Sequence, residues 1–66
     1  MELIINGEKR RFDGPMRVDE LIGALGLEPR KIAIERNLEI VPKSRFGDTM
    51  LDDGDRLEIV HFVGGG

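Results

Sequence analysis

The chain has 66 residues, of which 39% are hydrophobic, and its formal net charge is −3. A chain of this length is expected to form one domain, and its acidic balance argues against the broad positive field of a nonspecific nucleic-acid binder. It has no cysteine and a single histidine, which argues against disulfide bonds and against a metal site. We therefore expect a small domain that is stabilised by well-patterned packing alone.

The N-terminal segment predicts a β-hairpin. Residues 2–5 are strand formers, and they stop at the Asn-Gly pair of positions 6–7, which suits the positive φ angles of a two-residue turn. Residues 8–12 are expected to return as a second strand, which the Asp-Gly-Pro run at 13–15 ends. Because this segment lacks the basic flank and long apolar stretch of a secretory signal, and no run is long enough to cross a bilayer, we expect a cytoplasmic protein without a membrane partner.

The apolar period changes to that of a helix in the next segment. The spacing i, i+3, i+4 and i+7 that marks one helical stripe is found at Val18, Leu21, Ile22 and Leu25. We expect a helix over about residues 17 to 26, with Gly26 as its C-terminal cap and Pro29 preventing its continuation.

The second half of the chain is rich in strand patterns. The expected elements are strands at 31–35, 38–41 and 56–62, a turn at 36–37, one helical turn within 43–48 and a tight turn at 52–55. A hairpin, a helix and then further strands form an α+β pattern, in which one helix covers one face of a mixed sheet. That order suits a β-grasp (ubiquitin-like) fold.

The last predicted strand has two different faces. If Leu57 points toward the helix, Val60 and Phe62 lie on the open face of the sheet, where they would join Ile4 or Ile40 in an exposed apolar patch. Such a patch either contacts a partner or consists of single exposed apolar residues of the kind common on protein surfaces.

Three glycines at 64–66 follow the last strand and Val63. Glycines have no side chains to pack and lose much conformational entropy when ordered, so we expect a flexible tail after a single domain spanning residues 1–63. Four residues from Val63 extend about 13–14 Å, enough to bring a terminal carboxylate into a narrow active site. That carboxylate would be ionised at neutral pH and would need activation before a nucleophile could attack it. The alternative is that these glycines have no function and are a disordered chain end or residues added for expression.

Three motifs occur together in the second half of the chain. They are Glu-Ile-Val-Pro-Lys at 39–43, Asp-Gly-Asp-Arg-Leu-Glu-Ile-Val at 53–60 and a terminal Gly-Gly. In this order and at this total length they resemble the sulfur carrier proteins of the ThiS family, which serve thiamin biosynthesis. The resemblance makes the β-grasp fold a firm expectation. The chain departs from the family pattern at Leu38, where many relatives have Gly, and at Arg17, where a Thr often caps the helix.

The resemblance implies a carrier and not an enzyme. A ThiF-like adenylating enzyme would adenylate the carboxylate of Gly66, and sulfur supplied by a cysteine desulfurase would then replace AMP. The resulting thiocarboxylate would donate its sulfur to a ThiG-like thiazole synthase while the thiazole moiety of thiamin forms. Gly64 and Gly65 would form the narrow tail that enters partner active sites, and the residues expected to dock against partners are Val60, Phe62 and Val63. No cofactor is expected on the carrier; ATP would be bound by the activating partner, since the chain has no phosphate loop.

Two other functions stay open at the level of sequence. A related carrier for molybdopterin, tRNA thiolation or cysteine synthesis would share the Gly-Gly chemistry, and a noncatalytic β-grasp binding module would not need it. The basic run at 9–11 is expected on a solvated strand edge and His61 in a structural role, because the chain offers no nucleophile for it to activate.

Overall fold

Residues 1–62 of the chain are described in the computed structural model, where five strands form one mixed sheet and an α-helix packs against one of its faces. The elements are β1 (Glu2–Ile5), β2 (Glu8–Arg11), α1 (Val18–Ala24), β3 (Ile32–Arg36), β4 (Glu39–Val41) and β5 (Arg56–His61), with 3₁₀ turns at Pro29–Lys31 and Lys43–Arg45. Across the sheet the order is β2-β1-β5-β3-β4, and β1 runs parallel to β5 while the other neighbours are antiparallel. The predicted α+β class and β-grasp fold are confirmed, and the predicted domain boundary after residue 63 lies outside the described residues.

The core lies between α1 and the inward face of the sheet. Three of the four residues of the predicted helical stripe are fully buried, and Leu25 is half-buried at its end. The sheet residues that meet this stripe alternate along their strands, as a sheet with one covered face requires; they are Leu3, Ile5, Ile32, Ile34 and Leu57. The residues between them therefore point to the open face.

The start of α1 is held by a neighbouring loop and by Glu20, whose Oε1 accepts a hydrogen bond from the N–H of Arg17 at 2.8 Å. Arg17 stands at the N-cap, and its guanidinium cannot accept a hydrogen bond from the first helical N–H groups. The N–H of Val18 donates instead to the carbonyl of Thr49 at 3.0 Å, and the N–H of Asp19 donates to the carbonyl of Phe46 at 2.9 Å. The departure from the family pattern at this position is thus compensated by tertiary hydrogen bonds.

The end of α1 has the predicted glycine cap. The helix ends at Ala24, two residues before the predicted limit, because Gly26 takes a φ of 70° and turns the chain away. The N–H of Leu27 then donates to the carbonyl of Ile22 at 3.0 Å, which is the six-to-one bond of a Schellman motif.

The turn between β3 and β4 lies one residue later than the sequence predicted. The prediction of a turn at Arg36 and Asn37 is wrong. Arg36 pairs with Glu39 inside the hairpin, and the turn residues are Asn37 and Leu38. Arg36 is held in β3 because its Nε donates to a carboxylate oxygen of Asp55 at 2.7 Å. Leu38 consequently adopts a φ of 71°, in the left-handed region, with its side chain 86% exposed.

Strand β5 lies at the centre of the sheet, between β1 and β3. It pairs with β3 over residues 57–61 but with β1 only at Arg56 and Leu57. The side chain of Asn6 extends the shorter contact, since its amide nitrogen donates to the carbonyl of Ile59 at 3.2 Å and its amide oxygen accepts from the N–H of Ile59 at 2.8 Å. Asn6, the turn residue after β1, therefore holds β5 beyond the point where the strand pairing between β1 and β5 ends.

Asp55 is buried at the entry to β5 and joins that strand to the β3–β4 hairpin. Its carboxylate accepts hydrogen bonds from Nε of Arg36 at 2.7 Å, from Nδ2 of Asn37 at 2.9 Å and from the N–H of Asp52 at 2.8 Å. Burial by itself raises the pKa of this carboxyl, but the three hydrogen bonds and the positive charge of Arg36 outweigh it and hold the pKa of Asp55 below its usual value. The carboxylate is therefore ionised at neutral pH and fully used within the fold.

The strained turn yields a stability prediction. Replacing Leu38 by Gly removes the clash of a Cβ atom in the left-handed region, so we expect the free energy of unfolding to rise by about 0.5–1 kcal/mol after the entropy of the glycine is counted. Leu38→Ala removes the same exposed side chain but keeps Cβ, and it should change stability little. Urea denaturation of the three proteins measures the difference, and equal stability of the Ala and Gly variants would contradict the strain.

Candidate functional site

The predicted sulfur-acceptor site at the end of the chain begins just after the last described residue. Val63 and the glycines at 64–66, which carry four of the six predicted site residues, lie outside the described range. Phe62 is described, and its N–H donates to the carbonyl of Lys31 at 2.7 Å. The point from which the chain continues toward Gly66 is therefore fixed beside the N-terminal end of β3.

The open face of the sheet carries an exposed apolar patch beside that point. Val60 is 57% exposed, Phe62 is 47% exposed and Ile40 is 74% exposed. Val60 lies opposite Ala33 of β3, and Ile40 lies opposite Glu35 on the other side of the same strand. We define the apolar patch as Val60, Phe62 and Ile40. The exposure of Val60 and Phe62 confirms their predicted position on the open face.

Ile4 does not belong to this patch. It is half-buried and lies between Lys9 of β2 and Arg56 of β5, next to the opposite end of the central strand. Of the two apolar residues that the alternation offered as companions of Val60 and Phe62, the structure therefore selects Ile40.

Charged residues frame the apolar patch. The ammonium of Lys43 lies 5.3 Å from the centre of the Phe62 ring, within the range of a cation–π contact. Glu58 lies two residues before Val60 on the same face, and it is directly opposite Glu35. Sequence reasoning missed both glutamates and Lys43 as neighbours of the patch, because the alternation assigns a face but only strand register shows which residues are adjacent.

The surface also has two shallow depressions, one of which is bordered by Ile40 of the apolar patch. One has a volume of about 240 Å³ and is bordered by Arg10, Leu27 and His61, and the other has a volume of about 220 Å³ and is bordered by Arg36, Pro42 and Arg45. His61 is exposed at the rim of the first, with no serine, threonine or cysteine among the residues around it.

Among residues 1–62 there is no group of three or more metal-ligating side chains. None of the helices in this range is long and apolar enough to span a membrane.

These features define a small ubiquitin-like β-grasp domain whose last strand presents an apolar patch. A model of the ThiS family matches residues 3–66, nearly the whole chain. The chain belongs to the ThiS family.

Relatives of known fold and name agree with this membership. The crystal structure of the thiamine biosynthesis protein ThiS from Geobacter metallireducens superposes with a TM-score of 0.86 at 35% sequence identity, covering 100% of both chains. The sulfur carrier protein ThiS of Bacillus subtilis is 45% identical over 49 residues, which are 74% of each chain.

Other relatives are much longer proteins. The chain is 58% identical over all 66 residues to a thiazole synthase of Paramagnetospirillum magneticum and 36% identical to a thiazole synthase of Magnetococcus marinus. It spans only 20% of the length of each of these two relatives. In both of them a segment similar to this chain is thus part of a larger polypeptide.

The exposure of Val60 can be checked by unfolding. Because Val60 is more than half exposed while Val41 of β4 is buried, replacing each by the isosteric Thr should have different effects. We expect Val60→Thr to change the free energy of unfolding by less than about 0.5 kcal/mol, and Val41→Thr to lower it by about 1–3 kcal/mol because a hydroxyl is buried there. Urea denaturation of both variants measures this, and equal losses would contradict an exposed role for Val60.

Proposed function

We propose that this chain is a sulfur carrier for the formation of the thiazole moiety of thiamin. Its membership of the ThiS family over residues 3–66 supports the proposal, as does its likeness to proteins named as a sulfur carrier and a thiamine biosynthesis protein. In this function the protein is a co-substrate of other enzymes and not itself a catalyst.

The observation that carries the proposal is that two of the three residues of the apolar patch, Val60 in β5 and Phe62 just after it, directly precede the glycines. Phe62 is four residues from Gly66, and four residues extend at most about 13–14 Å. A partner that binds Val60 and Phe62 therefore receives the Gly66 carboxylate only if its active site lies within about 13–14 Å of Phe62. Gly64 and Gly65 offer no side chains to exclude them from a narrow channel.

The chemistry proposed at Gly66 consists of a substitution at the α-phosphorus of ATP, followed by a substitution at the acyl carbon of Gly66. A free Gly66 carboxylate attacks the α-phosphate of ATP on a ThiF-like adenylating enzyme, which releases pyrophosphate and gives an acyl adenylate. A cysteine desulfurase supplies sulfur as a persulfide, whose outer sulfur attacks the acyl carbon while AMP leaves; a thiol such as free cysteine then cleaves the S–S bond, giving the thiocarboxylate and a disulfide. Adenylation is needed because the ionised carboxylate has no good leaving group. ATP is bound by the activating enzyme.

The proposed acceptor of the sulfur is a ThiG-like thiazole synthase. The two longer relatives, which carry both the name thiazole synthase and a segment similar to this chain, support that partner. The adenylating enzyme and the desulfurase follow from the chemistry that a thiocarboxylate requires. We place these reactions in the cytoplasm, where the sulfur donor and ATP are available.

Intact-mass spectrometry tests the carrier chemistry. The chain is incubated with ATP, cysteine, a cysteine desulfurase and a ThiF-like enzyme. We expect its mass to rise by the difference between one sulfur and one oxygen atom, because one carboxylate oxygen of Gly66 is replaced. A variant in which Gly65 and Gly66 are both deleted no longer ends in Gly-Gly; it is the matched control and should show no gain. An unchanged mass of the intact chain, with the enzyme active on another carrier, would overturn the proposal and favour a noncatalytic binding module.

The requirement for a narrow tail is tested at Gly65. We expect Gly65→Val to lower the rate of adenylation about a hundredfold or more by steric exclusion from the active site, with the domain still folded. Gly65→Ala, which adds one methyl group, should lose less. Pyrophosphate release by the ThiF-like enzyme gives the rate, and circular dichroism confirms folding. Normal adenylation of the valine variant would refute the narrow channel.

A further inference from the structure

Two carboxylates face each other on the open face of the sheet. Glu35 of β3 and Glu58 of β5 are direct partners in the antiparallel register. Both are exposed, and both point away from α1 because their neighbours Ile34 and Leu57 are buried in the core. Directly opposite residues in such a pair have Cβ atoms about 4.5–5.5 Å apart, so two negative charges are held side by side.

Nothing in the described part of the chain neutralises this pair. Within residues 1–62 no lysine, arginine or histidine nitrogen forms an ion pair with Glu35 or Glu58. Arg56 lies on the same face two residues before Glu58, yet it forms no ion pair with either glutamate. Like charges directly opposite each other destabilise a sheet. We therefore expect the pair to disfavour the free domain, where both side chains are exposed to water.

The apolar patch borders the pair. Ile40 lies beside Glu35 across the β3–β4 ladder, and Val60 is the next residue after Glu58 on the same face. A protein that covers Ile40 and Val60 must therefore cover both carboxylates and remove their water. Desolvating two like charges without a counter-charge is strongly unfavourable. A partner that binds the patch has to bring a cation to this position.

We propose that Glu35 and Glu58 together receive one arginine or lysine side chain of the thiazole synthase when that enzyme covers the apolar patch. This inference rests on the proposed function and names the chemistry of the partner surface: an apolar depression next to a basic side chain. The two longer relatives, in which a thiazole synthase includes a segment similar to this chain, favour that enzyme as the occupant. The pair then determines which surfaces are accepted, because a neutral or acidic surface leaves the carboxylates desolvated and unpaired.

Binding of a stand-alone ThiG-like thiazole synthase to charge variants tests the proposal. For the double variant Glu35→Gln with Glu58→Gln we expect the dissociation constant to rise about tenfold or more and to depend less on salt than that of the unmodified chain. The melting temperature of the free variant should rise by about 1–4 °C, because the repulsion is removed. Loss of binding together with a gain in stability is the signature of a pair that serves recognition.

A matched control changes the same charge on the opposite face. Glu8 of β2 lies opposite Ile5, and Glu39 of β4 lies opposite Arg36, so both point to the side covered by α1. The double variant Glu8→Gln with Glu39→Gln should bind the synthase within about twofold of the unmodified chain, since only the distant field changes. Equal weakening by both double variants would overturn the proposal in favour of a general charge effect.

Other outcomes also decide the matter. Unchanged binding of the Glu35 and Glu58 variant, or no binding of the unmodified chain, overturns the inference. The same holds if sedimentation shows that the free chain is a dimer that this variant dissociates, since a second copy would then be the occupant. Thiocarboxylate formation by the ThiF-like enzyme is measured on the same variant. If the variant loses thiocarboxylate formation but still binds the synthase normally, Glu35 and Glu58 serve the activating enzyme and the inference is overturned. If the unmodified chain forms no thiocarboxylate, the carrier function itself is refuted.

Discussion

The placement of β5 between β1 and β3 is the constraint on which the rest of the domain depends. One side of this strand supplies Leu57 to the core, and the other side supplies Val60 to the open face. Its entry is held by the buried carboxylate of Asp55, and its middle is held by the amide of Asn6. Because these contacts fix the strand at both edges, the position of Phe62, the last described residue, is set by the sheet.

The charges of the domain are used in two opposite ways. Asp55 is buried, accepts three hydrogen bonds and faces an arginine, so its negative charge stabilises the fold. Glu35 and Glu58 are paired across β3 and β5 without an arginine or lysine ion pair in the described range, so their charges do not contribute such a stabilising contact. Natural domains keep unfavourable surface charges where function requires them. The contrast between these carboxylates separates the part of the sheet that maintains structure from the part that is available for recognition.

Much of the fold could be predicted because the local sequence signals agree with the elements that the chain forms. The Asn-Gly turn, the helical stripe from Val18 and the glycine cap at Gly26 each specify local geometry, and each was found where expected. The turn at Leu38 was misplaced by one residue, because an ion pair with Asp55, eighteen residues or more away in sequence, keeps Arg36 in its strand. The open face was predicted from alternation, whereas the apposition of Glu35 and Glu58 depends on register between strands that are distant in the chain. The predicted roles of the four residues after Phe62 rest on the family resemblance and stay predictions.

The pairing of the first strand with the last has a consequence for synthesis of the chain. Ile4 and Ile5 find their neighbours only at Arg56 and Leu57, about fifty positions later. Without β5, the hairpins β1–β2 and β3–β4 have no strand to join them, and isolated hairpins are at best marginally stable in water. The sheet is completed only when β5 emerges, and contacts of such long sequence separation form late. A folded domain is consequently a sign that translation has passed residue 61 and reached the edge of the glycine segment, so that partners which recognise the finished sheet do not engage shorter, interrupted products.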